Sequence, residues 1–151
     1  MQAPKRKIGL HYLYDPKTGI QQDLPIGFQI YHYTDKVWVG GSNDGKYYLQ
    51  IERIRGKHIP TILAEGDLGL FLTSVRPPNK ITANLSGVQV AGTLRSQDLV
   101  GYLAKVDLPD KHQYSYLILI ASEKGSPITP SLDYAIRLAN DIETQHQSVP
   151  A

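Results

Sequence analysis

Tyr116-Leu117-Ile118-Leu119-Ile120-Ala121 is apolar at every position. A continuous short apolar run marks a strand covered on both faces. Residues 114–121 are therefore expected to form a central strand, with Leu117 and Leu119 under one layer and Ile118 and Ile120 under another. Upstream, Val88, Val90 and Leu94 alternate with Gln89, Thr93 and Arg95. Tyr102, Ala104, Val106 and Leu108 alternate with Lys105 and Asp107. Period two marks strands with one wet face. Downstream, Thr129 caps a helix with Pro130 at its first position and a stripe of Leu132, Ile136, Ala139 and Ile142. Asp133, Arg137 and Asp141 form a charge ladder on its wet side. Residues 145–151 read as a frayed tail.

The first half is rich in strand signals. Ile8 to Tyr14 is a first strand with Leu10, Tyr12 and Tyr14 on one face, followed by the turn Asp15-Pro16-Lys17-Thr18-Gly19. Phe28 to Tyr33 is a second. Asp44-Gly45 joins two alternating runs, Trp38 to Gly41 and Lys46 to Ile54, as a hairpin. Pro60 opens a helix on which Ala64, Leu68, Phe71 or Leu72, and Val75 share a face. Gly66 and Gly69 weaken that helix by about 1 kcal/mol each relative to alanine. The expected fold is a single α+β domain with a mainly antiparallel sheet of about six to seven strands and two helices, in the order β-β-β-β-α-β-β-β-α. Its ordered core spans about 8–143.

With 151 residues and no cysteine, the chain needs no staples and has no disulfide or thiolate chemistry. A net charge of +2, with acidic and basic residues interspersed, gives no support for a nucleic-acid partner. No apolar run approaches the roughly 18 residues of a membrane span. A mature exported form with its signal removed fits this start as well as a cytosolic one.

No catalytic constellation, metal site or cofactor motif stands out. His11, His32, His58, His112 and His146 are scattered, with no pair at the spacing of a helical zinc site. Gly40 to Gly45 is glycine-rich but precedes a strand, whereas phosphate loops need a helix behind the glycines. Two features are unusual. The strand face carrying Tyr47, Leu49 and Ile51 continues as Arg53, Arg55 and Lys57, which calls for a bulge near Glu52, a strand that outruns its sheet, or a basic patch for an acidic partner. Ten tyrosines accompany only two phenylalanines. Tyrosine joins a large apolar area to a polar tip, which suits interfaces.

The element order, with Pro25, Gly27 and Phe28 opening the second strand, resembles the PsbP-like fold over about residues 18–143. That resemblance implies a non-enzymatic module that binds another protein, as photosystem accessory proteins, a nuclear-import regulator, bacterial envelope proteins and secretion chaperones do. The expected role is thus an adaptor, accessory subunit, immunity protein or chaperone. Tyr31, Tyr33, Tyr48, Arg53, Arg55 and Lys57 are the candidate partner-binding residues, and alanine at Arg53 and Arg55 is expected to leave the fold intact. The rival is an enzyme or small-ligand binder with a pocket between sheet and helices, using His32 and His58. Anion or nucleic-acid binding through the basic strand end is a third reading.

Overall fold

The computed structural model describes residues 9–56, 71–108 and 113–148. Its elements are β1 (Tyr12–Asp15), β2 (Ile20–Asp23), β3 (Phe28–Tyr33), β4 (Val37–Ser42), β5 (Tyr48–Arg55), β6 (Phe71–Ser74), β7 (Asn79–Lys80), β8 (Leu85–Leu94), β9 (Gln97–Asp107), β10 (Tyr114–Glu123) and α1 (Thr129–Ser148). One antiparallel sheet runs β3-β4-β5-β10-β9-β8-β6, with β7 also paired to β8, and β1-β2 forms a separate hairpin.

This corrects the expectation of six to seven strands and two helices. The large sheet has eight strands, the hairpin adds two, and α1 is the one helix among the described residues. Phe71–Ser74, read as the end of a helix, is β6, paired with β8 from Phe71↔Thr93 to Ser74↔Val90. The open edge of β8 outweighs a coincidence of helical spacing in a segment weakened by glycine. Residues 57–70, which carry most of that expected helix, lie outside the described residues. β2 went unforeseen because Ile20-Gln21-Gln22-Asp23 has no apolar alternation, and pairing with β1 defines it.

β10 holds the centre, with β5 on one side and β9 on the other. Its side chains divide as the apolar run predicts. Ile118 and Ile120 join the cluster that includes Leu138, Ala139 and Ile142 of α1. Leu117 and Leu119 join a second cluster with Val88, Val90 and Leu103. The helical stripe is rotated from the expected one: Ala135 and Leu138 are fully buried beside Ala139 and Ile142, whereas Leu132 and Ile136 are only partly covered. The helix also continues through Gln145 to Ser148, beyond the expected end of the ordered core.

The hairpin between β4 and β5 forms around Asp44-Gly45, but its loop is longer than a two-residue turn. Ser42 N–H donates to Tyr47 O at 3.0 Å, Asp44 Oδ1 accepts from Lys46 N–H, and Gly45 alone in the loop has positive φ. The tight turn lies elsewhere, between β8 and β9, where Arg95 (φ 51°) and Ser96 (φ 68°) both take left-handed backbone. Non-glycine residues there cost about 1–2 kcal/mol each. Arg95→Asn with Ser96→Gly should therefore raise the melting temperature by a few degrees, since about 1 kcal/mol shifts a domain of this size by ~2–4 °C. Differential scanning calorimetry checks this, and an unchanged or lower value would mean the turn is not strained.

Candidate contact surface

The β1–β2 hairpin is fastened to the main sheet by a buried polar network. Asp15 is fully buried and accepts from Arg53 Nη1 at 2.7 and 2.8 Å, from Tyr116 Oη at 2.6 Å and from Lys17 N–H at 2.9 Å. Thr18 Oγ1 lies 2.6 Å from the same phenol oxygen. Burial first, and then the hydrogen bond donated to Asp15, hold the Tyr116 phenol far above the usual tyrosine range. Arg53 also donates to the Asp35 carbonyl at 3.0 Å and sits 5.3 Å above the Tyr114 ring.

This network explains the cations at the end of β5. The register with β10 runs unbroken from Tyr48↔Ala121 to Arg55↔Tyr114, so no bulge falls at Glu52. Arg53 stays on the core face opposite Tyr116, and the hairpin brings Asp15 to it. With its side chain only 10% exposed, Arg53 is a structural brace rather than a free contact residue. Its replacement by alanine is thus not the mild change that strand alternation alone suggested. Arg55 is exposed at the strand end, 5.9 Å over the same Tyr114 ring. Lys57 lies outside the described residues.

The tyrosines divide as well. Tyr12 (36%), Tyr14 (48%), Tyr31 (42%) and Tyr33 (59%) are exposed, and they gather on β1 and β3. Tyr12, Tyr14 and Pro16 face Tyr33 and Asp35 across a cleft of about 440 Å³, with the almost fully buried Trp38 beneath. Tyr31 sits at a bulge in β3, outside the lining of that cleft. Tyr48 does not join them. It is half-buried against the second core cluster, donates to Gln50 Oε1 at 2.6 Å, and has its phenol shifted up by burial. The β3–β4 turn separates this cleft from a second depression of about 560 Å³ that Lys36, Glu52, Arg53, Arg55 and Tyr114 line. One end of the molecule therefore displays an aromatic cleft and, beside it, a groove where Lys36, Arg53 and Arg55 outnumber the carboxylate of Glu52.

The sequence puts Tyr31, Tyr33 and Arg55 on this end, leaves Tyr12 and Tyr14 among the tyrosines crowding the early strands without naming them as contacts, and gives Pro16 only as a turn residue. The alternation of Leu10, Tyr12 and Tyr14 was visible. What was missing was that Leu13 and Asp15 fill the buried side of the hairpin, leaving the tyrosines outside. Pro25 to Phe28 proves to be a turn, with Phe28 N–H donating to Pro25 O at 3.0 Å and Gly27 at φ 89°. Its Phe28 is buried with its ring centre 4.9 Å from that of Tyr134 on α1, so the motif anchors the helix rather than offering a contact. His32 is exposed on β3, and His58 lies outside the described residues. Among the described residues no three histidine or carboxylate side chains converge as metal ligands, and no helix is long and apolar enough to cross a membrane.

No protein-family model and no curated protein matches the chain. Among solved structures it is similar to the Ran-binding protein Mog1p of Saccharomyces cerevisiae, with 11% identity and a TM-score of 0.51 over 90% of this chain and 89% of that one. At that identity the likeness is one of fold.

Proposed function

We propose that this protein is a non-enzymatic protein-binding module whose partner contacts the end formed by β1, β3 and the close of β5. The observation that carries this reading is the cleft that exposed Tyr12 and Tyr14 of the β1–β2 hairpin, which Asp15 ties to Arg53, form with exposed Tyr33 of β3, with exposed Tyr31 on the same strand outside it. Aromatic residues and arginine are enriched at interface hot spots, and a braced scaffold lowers the entropy lost on binding. Lys36 and Arg55 beside the cleft favour a partner with acidic residues at the rim. The fold shared with Mog1p, itself a Ran-binding protein, is in keeping with a binding role.

The test uses the tagged protein as bait in its native lysate, comparing wild type with Tyr14→Ala/Tyr33→Ala and with Arg55→Glu. Both sites are exposed, so melting temperatures should hold within a few degrees, because such changes usually stay within about 0.5 kcal/mol. The tyrosine pair should lose a specific partner almost completely, and Arg55→Glu should weaken capture with a marked salt dependence. Identical capture by all three baits would overturn this placement of the surface.

A further inference from the structure

We infer that the aromatic cleft is a slot for one extended polypeptide strand, taken from another protein and paired along the outer edge of β1; this rests on the protein-binding reading above. Leu24 N–H donates to His11 O at 2.9 Å, and Leu13 is registered opposite Gln22. Residues of an antiparallel ladder alternate between facing the partner strand and facing away. His11, Leu13 and Asp15 therefore turn their backbone groups to β2, whereas Leu10, Tyr12 and Tyr14 turn theirs toward β3. Leu10 shows the outward direction in use, since it exchanges hydrogen bonds of 2.9 and 2.8 Å with Ile30.

Beyond that single bridge the strands part and the cleft opens between them. Among the described residues nothing pairs with the outward N–H and C=O groups of Tyr12 and Tyr14. On the far wall Thr34 N–H donates to Val37 O, so Tyr33 turns its own backbone toward the cleft. The other edge of the hairpin is treated differently. Gln145 of α1 accepts from Gln21 N–H at 3.1 Å and donates to Gln21 O, standing in for a neighbouring strand. One edge of the hairpin is capped from within the fold, and the other faces an aromatic-walled gap.

The occupant follows from that geometry. Donor and acceptor groups two residues apart along a strand match the repeat of an extended chain, with side chains at alternate positions available to the tyrosines and Trp38. A second copy of the chain fits poorly, because Leu10 and Ile30 join the two walls at one end of the gap, and the edge of an intact sheet would have to enter between them. A segment apolar at alternate positions is the partner these walls would take.

The test selects peptides from a displayed random library on the full-length protein, and then measures the synthesised winners by fluorescence polarisation. Each backbone amide is N-methylated in turn, which removes a donor without altering any side chain. Methylation at every second residue should weaken binding about tenfold and leave the intervening positions within about twofold. Tyr14→Pro, which removes an outward N–H at an edge position that tolerates proline, should also weaken the unmodified peptide about tenfold. Failure to enrich any peptide, sensitivity without alternation, or a concentration-dependent dimer that Tyr14→Pro abolishes would each overturn the slot. Loss of partner capture in Tyr14→Ala/Tyr33→Ala without the alternating pattern would overturn strand pairing alone and leave the binding reading standing. The alternating pattern with capture unchanged in that double variant would support the slot and count against the tyrosines as the native partner's contacts.

Discussion

Replacing Asp15 with alanine should destabilise the protein by about 3–5 kcal/mol, because it leaves Arg53 buried without its counter-charge. The same change removes the acceptor of Tyr116 Oη and of Lys17 N–H, two further bonds that burial makes costly to lose. Against a usual domain stability of about 5–15 kcal/mol, the loss is a large share. Arg53→Ala should cost a similar amount, since it strands a carboxylate in a site with no exposure. The pair Asp15→Ala/Arg53→Met should recover much of either loss, because removing both charges spares the uncompensated one. Urea unfolding of the wild type, Asp15→Ala, Arg53→Met and the double variant closes the cycle and gives the coupling energy. A cost below about 1 kcal/mol for either single change would show an ordinary exposed ion pair, and the hairpin would then have no rigid fastening.

That network also marks where the sequence stops being legible. The alternation of Leu49, Ile51, Arg53 and Arg55 says correctly that Arg53 belongs on the core face. Nothing local says that a turn residue 38 positions earlier will neutralise it. Long-range pairing of one charge with another leaves no periodic trace, so a bulge was the natural inference from pattern alone. β6 illustrates the same limit from another side. Phe71 to Ser74 carries a spacing that serves helix or strand, and the free edge of β8 decides between them. By contrast, β3, β10 and the central parts of β8 and β9 carry several periods of alternation or an unbroken apolar run and are legible there. Gln97 to Gly101, the first half of β9, show no such pattern. The candidate surface was half readable for a related reason. Exposed tyrosines and buried tyrosines have the same letter, and Tyr116 with no exposure differs from Tyr14 only in what the fold lays over it.

Leu119→Ala should cost about 2–5 kcal/mol, the range for truncating a fully buried leucine. Its position makes the value informative. Leu119 sits on the central strand, between Leu103 of β9 and Gln50 of β5, on the sheet face turned away from the cluster that includes α1. If the second cluster is a closed core, its neighbours cannot collapse into the space left behind, and the loss falls in the upper part of that range. Ile118→Ala, on the helix side of the same strand, should cost a comparable amount, because both residues are without exposure. Urea midpoints for the two variants, with unchanged slopes, would show that both faces of the sheet bear the fold equally. A cost for Leu119→Ala below about 1 kcal/mol beside a full cost for Ile118→Ala would mean that the sheet is sealed on one face alone. The unbroken apolar run of β10 would then have to be explained by something other than burial on both sides.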